Sequence, residues 1–223
     1  MRKLWVLAGL LIASQAWASP VDVPVDLGIG PAAFFFVPGP VYDDQPVHYG
    51  VKISLQAIIN QQLLQKEKNR IPAKYRSMVL KQKEIRITPF PLTLIPEELF
   101  ISPKLDHTGI YGATFKPIAL GLAIGGGALR FGLDGGVVLT AAYLYGDTLP
   151  DTFFLRPGVS LQAELEWMPT SVFGVSVGWE SAVYIPQVLG GDFTDVKPLD
   201  QSIWHIGNAF LKFHFRFPYR TNL

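Results

Sequence analysis

Cysteine is absent from all 223 residues, so the chain can form no disulfide and carries no site for a lipoprotein anchor. A dominant charge is missing as well. Nineteen Lys and Arg stand against 18 Asp and Glu, a formal net charge of +1 that gives no global attraction to nucleic acid. The third absence is a long apolar run. Although 49% of the residues are hydrophobic, no uninterrupted apolar stretch beyond the N-terminus approaches the roughly 20 residues that a spanning helix needs. Apolarity without such a helix leaves a soluble β-rich core, or a barrel that turns its apolar face to lipid.

Catalytic and metal-binding signatures are also missing. The four histidines, His48, His107, His205 and His214, fall in no His-Glu-x-x-His pattern, and no Gly-x-Ser-x-Gly elbow occurs. Metal-ligand spacing is absent. No basic helix start follows Gly125-Gly126-Gly127, which therefore reads as a turn and not as a phosphate cradle. The expectation is a non-enzyme without metal or cofactor. Triads are defined by geometry, however, and His214 near Glu164 or Glu180 is the least implausible base if distant strands assemble one.

At the N-terminus, Arg2 and Lys3 precede an apolar run from Leu4 to Ala13, and Ala16-Trp17-Ala18 follows with small residues at alternate positions. This is the pattern of a secretory signal peptide, with cleavage predicted after Ala18 and a single domain over 19–223. Removing Arg2 and Lys3 turns the formal charge from +1 to −1. Export of a thiol-free chain fits the bacterial envelope.

Four later segments alternate apolar and polar residues with a period of two, which predicts two-faced strands. From Leu129 to Tyr145, one face holds Leu129, Phe131, Leu133, Val137, Leu139 and Tyr143, and the other Arg130, Gly132, Asp134 and Thr140. Phe153–Met168, Phe173–Ile185 and Leu211–Tyr219 behave alike, with Arg156, Glu164, Glu166, Glu180, Lys212, His214 and Arg216 on their polar faces. These runs exceed the usual five or six residues of soluble strands and suit the roughly 9–11 of a tilted membrane strand. Earlier strands are drawn within Val23–Val37 and over Val47–Ile59, which places Lys52 on a polar face. A third over Ile85–Ile95 contains Pro89 and Pro91, which confine it to an edge or a bulge. The fourth, around Tyr111–Ile124, slips phase at Lys116-Pro117, where a bulge is the natural repair.

Connections alternate between tight (Gly125–Gly127, Pro169–Ser171) and long (Asp147–Asp151, Gln187–Ser202), as periplasmic turns and external loops do in membrane barrels. The count is eight strands, with ten as the alternative when the prolines are redistributed. The polar faces then point inward, so that Lys52, Arg130, Asp134, Arg156, Glu164, Glu166, Glu180, Lys212, His214 and Arg216 form a mixed-charge lumen network. Tyr143, Tyr145, Phe153, Phe154, Tyr184 and Trp204 are expected at the outer headgroup level, and Trp167, Phe173 and Tyr219 at the inner one.

Between strands two and three, residues 60–83 have helical character, with Pro72 starting a second short helix. Residues 66–86 carry eight basic side chains, Lys66, Lys68, Arg70, Lys74, Arg76, Lys81, Lys83 and Arg86, against Glu67 and Glu84. Such an insert either lies on anionic phospholipid headgroups or is a solvated hairpin whose bases face water.

The signal peptide, the alternation over residues 110–219 and the last strand Ala209-Phe210-Leu211-Lys212-Phe213-His214-Phe215-Arg216-Phe217 resemble the small bacterial outer-membrane β-barrel proteins as a class. The resemblance implies an outer-membrane address, contact with outer-membrane lipid and recognition of a terminal aromatic residue by the assembly machinery. Here Phe217 and Tyr219 are followed by Arg220-Thr221-Asn222-Leu223, a departure from that ending. The functional expectation is a structural or adhesive barrel or a narrow conduit. A soluble periplasmic β-rich ligand-binding protein and an outer-membrane lipid-modifying enzyme are the alternatives.

Overall fold

The computed structural model describes residues 20–37, 45–66, 68–88, 92–105, 107–147, 151–186, 189–190 and 203–222. The predicted signal segment with Ala16 and Ala18, and the side chains of Arg70 and Tyr219, lie outside them.

Every long alternating segment forms a strand. β1 (Pro20–Phe36), β2 (His48–Asn60), β5 (Thr108–Gly126), β6 (Leu129–Gly146), β7 (Thr152–Trp167), β8 (Phe173–Tyr184) and β10 (Trp204–Asn222) each pair antiparallel with their neighbours. Two short strands, β3 (Glu84–Ile87) and β4 (Glu98–Ser102), both lie between β2 and β5 and together make one stave. The two-residue β9 (Leu189–Gly190) sits on β7. β1 pairs with β2 on one side and β10 on the other, which closes the sheet into a barrel of eight staves built, among the described residues, from nine strands, with β9 as a short addition beside β7. Closure gives β1 a partner on both sides, as a strand placed in hydrocarbon needs.

The third stave departs from the sequence expectation. It does not run from Ile85 to Ile95 but stops at Ile87, since the following prolines cannot donate to a ladder. Leu92–Leu94 is a 3₁₀ turn, and pairing resumes with Glu97, which accepts from Ile53 N–H and donates to the Thr114 carbonyl, both at 2.7 Å. Directly opposite, the β5–β6 register shifts between Phe115 and Ile118, at Lys116-Pro117. The extra residue moves the inward side from even positions (Ile110, Thr114, Lys116) to odd ones (Ala119, Ala123).

Both described chain ends, the two-residue Gly127-Ala128 turn, the Met168–Val172 turn and residues 61–83 lie at one end of the barrel. Gly125 and Gly127 have positive φ (121° and 69°), which a hairpin this tight needs. Outward positions of the late strands form an apolar girdle. Val159, Leu161, Leu165, Trp167, Val177, Trp179, Phe213, Phe215 and Phe217 are between 41% and 63% exposed, with no second layer over them among the described residues.

The insert is two short helices, α1 (Gln61–Lys66) and α2 (Ala73–Val79, led by Pro72), joined through a 3₁₀ turn at Lys68–Arg70. It packs on the outside of the barrel. Val23, Val25, Ala57, Ile85 and Ile87 occupy outward positions yet are buried, because Leu64, Ile71 and Val79 cover them. Val25, Ala57, Ile87 and Leu120 are register partners across four neighbouring staves, so the cover is a continuous patch.

The bulge makes its own demand on β6. Gly136 faces Ala119, and a Cβ there would stand 2.2 Å from the Ile118 carbonyl, a backbone atom with nowhere to go. Gly136→Val is therefore expected to reduce the fraction of chain that closes, read as loss of the fast-migrating band of unboiled protein on a denaturing gel. An unchanged band would show that the bulge can relax.

Candidate functional site

An eight-stave barrel is just wide enough for side chains to fill, and its interior is stratified. At the mouth nearest the chain ends, Arg86 from β3 reaches across to β7. It binds Glu166 through two nitrogens (2.5 and 2.7 Å), Glu164 at 3.2 Å and Glu84 at 2.7 Å. Arg130 pairs with Glu84 at 2.9 Å, and Arg216 with Asp26 at 2.9 Å and Glu84 at 3.4 Å. Lys212 pairs with Glu164 at 2.8 Å.

Half-way up lies a second knot. Lys52 binds Glu180, together with Glu97 (3.4 Å) and Glu98 (3.2 Å). Lys116, inward like Ile110 and Thr114 on the first half of β5, binds Glu97 and Asp134 at 2.9 Å and Glu180 at 3.0 Å. Gln56 donates to Asp134 at 3.0 Å, and Asn208 donates to Glu98. β2 and β5 do not neighbour β8, nor does β3 neighbour β7, so these pairs cross the lumen and tie opposite walls.

His214 belongs to the lower layer. Its Nδ1 lies 2.9 Å from Asp26 Oδ1 and its Nε2 2.8 Å from Ser176 Oγ, whereas Glu180, a partner suggested by the sequence, sits in the middle knot. Glu164 is reached only through Ser176, which donates to it at 3.0 Å. Ser176, His214 and Asp26 thus have the connectivity of a nucleophilic triad. A working triad also needs room for a substrate about 3 Å from the nucleophile. Here all three residues are at most 3% exposed, and Glu164 occupies the free side of the hydroxyl.

The other half of the lumen is mainly apolar, with a few buried polar groups such as His48, Thr140 and Arg156 among its aromatics. Ala32, Phe34, Phe36, Phe100, Ile110, Val138, Ala142, Leu144, Phe154, Ala182, Tyr184, Trp204, Ile206 and Phe210 form one buried cluster. Phe34 and Phe100 meet edge to face at 4.6 Å, and Phe154 and Trp204 lie 5.0 Å apart. This corrects the assignment of Tyr184, Trp204 and Phe154 to the membrane interface, since they are 1%, 0% and 0% exposed. Each shares the parity of the polar face on its strand, and apolar residues on that face fill the lumen. Arg156 also belongs here. Its guanidinium lies 4.1 Å above the Trp204 ring, and Nη1 donates to the Ile185 carbonyl at 3.3 Å.

Outward aromatics mark both rims. Tyr143 and Phe153 are exposed, Tyr145 stacks on Tyr111 at 5.3 Å at the loop end, and Trp167 and Phe173 stand at the turn end. A cavity of about 380 Å³ opens at the turn-end mouth, lined by Asn60, Gln61, Gln62, Lys83, Glu84 and Arg130, among others. A second, of about 20 Å³, lies in the wall beside the split stave against Glu97 and Lys116. Neither touches Ser176 or His214.

Sequence reasoning missed Asp26, Glu84, Arg86, Glu97, Glu98 and Lys116. Arg86 did carry a signal, because it alternates with Ile85 and Ile87, but it was counted with the basic insert. Lys116 sits on the phase break, and Glu97 and Glu98 follow the interrupted stave, where alternation gives no direction.

A closed antiparallel ring with an apolar girdle outside and paired charges inside defines a small β-barrel of the bacterial outer-membrane type. A solved structure with this architecture is Neisserial surface protein A (NspA), which aligns with a TM-score of 0.50 over 89% of this chain and 99% of that chain, at 8% identity. The N-terminal β-barrel domain of Pseudomonas aeruginosa OprF aligns over 85% of this chain and 97% of that chain, at 10% identity and a TM-score of 0.39. No protein-family model matches the chain, and no curated protein matches it by sequence. At such identity the likeness to NspA concerns the fold.

Removing one member of a buried ion pair strands its partners without water. Lys116→Met is expected to destabilise the barrel by about 3–5 kcal/mol, measured by urea unfolding in detergent micelles. A change within about 1 kcal/mol, the range of exposed pairs, would mean that water reaches the middle knot.

Proposed function

We propose that this protein is a signal-peptide-exported resident of the bacterial outer membrane with a structural or adhesive role, sealed against steady conduction and without catalytic activity. The carrying observation is the division of the lumen. A solute from either side meets cross-paired charges in one half and packed aromatics in the other. Filling of this kind makes the wall rigid, which suits a scaffold whose four loop-end connections face outward. Insertion by the envelope's barrel-assembly machinery fits a last strand that presents Phe213, Phe215 and Phe217 to lipid. The burial of Ser176, His214 and Asp26, each at most 3% exposed, supports the non-enzymatic reading over a lipid-modifying one.

Planar-bilayer recordings of purified protein should give no steady current, whereas the double variant Phe154→Ala and Trp204→Ala, which empties much of the aromatic layer, should conduct. Steady channels from the unaltered protein would reject the sealed reading.

Treatment with a fluorophosphonate serine reagent is expected to leave Ser176 unmodified. Labelling that disappears in Ser176→Ala would establish an activated nucleophile and overturn the non-enzymatic assignment.

A further inference from the structure

The lumen and the insert treat positive charge in opposite ways. Inside, Lys52, Arg86, Lys116, Lys212 and Arg216 each bind carboxylates, the arrangement that a dry interior demands. On the insert, Lys66, Lys68, Lys74, Lys81 and Lys83 are exposed and have no carboxylate partner among the described residues. Like charges gathered on one short segment repel each other, so the cluster is a standing cost to folding unless an anion lies against it.

The placement of the insert indicates which anion. Its apolar side is spent on the outer wall, where it buries Val23, Val25, Ala57, Ile85 and Ile87. Val25 is level with Phe217 on the adjoining strand, and Phe217 is exposed and lipid-facing. The helices therefore stand beside the barrel at the lowest rows of the girdle, at the end that carries the tight turns. In outer-membrane barrels this end faces the periplasm. A solvated hairpin would project free of the barrel, but this one packs its apolar side on the wall, with Lys83 at the rim of the mouth, where its Nζ donates to the Gly125 carbonyl at 3.1 Å, and with Met78 40% exposed beside its lysines.

We propose that Lys66, Lys68, Lys74, Lys81 and Lys83 bind the phosphates of anionic phospholipid headgroups in the periplasm-facing leaflet, so that the insert and the wall together form a lipid-selective collar over β1, β2 and the third stave. The attraction is electrostatic, decays within a Debye length of about 8–10 Å and weakens with salt. Lysine, a flexible point charge, suits a mobile headgroup that offers no fixed geometry. The collar rests on the outer-membrane reading given above.

The test uses the full-length protein reconstituted in phosphatidylcholine bilayers containing trace spin-labelled phosphatidylglycerol or spin-labelled phosphatidylcholine. The immobilised fraction of each label is measured by electron spin resonance. The unaltered protein should immobilise the anionic label preferentially, and a variant with all five lysines replaced by glutamine should immobilise both labels equally. Replacing the same five with arginine should preserve the preference. Equal immobilisation by the unaltered protein, or a preference that survives in the glutamine variant, would overturn the proposal. So would displacement of the anionic label by inorganic phosphate beyond that caused by sodium chloride of equal ionic strength, which would indicate a site for free phosphate. A protein that immobilises neither label and shows no heat-modifiable migration would instead sink the membrane-barrel reading, a result distinct from loss of selectivity alone.

Discussion

Hydrocarbon offers a backbone amide no hydrogen-bond partner, and from that constraint the rest of this molecule follows. A spanning strand must be paired on both sides, so the sheet has to close, and β1 meets β10 along nearly its whole length. Closure at eight staves fixes the bore. With side chains alternating along each strand, half of them are committed to a bore only wide enough for side chains. Which residues can stand there is then decided by how well they satisfy one another.

Two solutions are used, one in each half. Toward the chain ends, ionised groups meet partners from the opposite wall. An exposed pair contributes about 0–1 kcal/mol, too little to matter, but stranding a buried partner costs several times more. The contribution of these pairs to the folded state is thus chiefly the penalty incurred if any member is lost. Toward the loops the lumen is closed by aromatic and aliphatic packing, which is non-directional and needs no partner. Lys52 and Lys212 mark the boundary, with their ammonium groups 5.8 and 4.9 Å from the Phe210 ring centre.

Alternation made the late strands legible in sequence down to which side chains point inward, because a period of two survives whatever the strand packs against. It failed wherever that period is interrupted. Pro89 and Pro91 concealed the split stave, so Glu97 and Glu98 received no direction. Lys116 fell on the bulge, where parity reverses. Tyr184 and Trp204 pose a different difficulty. Interfacial preference and lumen packing both favour large aromatics at strand ends, and parity is the feature that separates the two. The fate of the insert was not legible at all. Its apolar residues show that it must cover something, but the covered row of Val25, Ala57 and Ile87 becomes contiguous only once the register is known.

The divided third stave shows side chains taking over a task that backbone pairing leaves unfinished. Glu84–Ile87 and Glu98–Ser102 hold their neighbours by brief ladders, with a bulge beside them. Glu97, at the join, is bound by Lys52 from the strand on one side and by Lys116 from the strand on the other, and Lys116 reaches on to Asp134 one stave further. The join is thus stitched by charge where the amides do not meet.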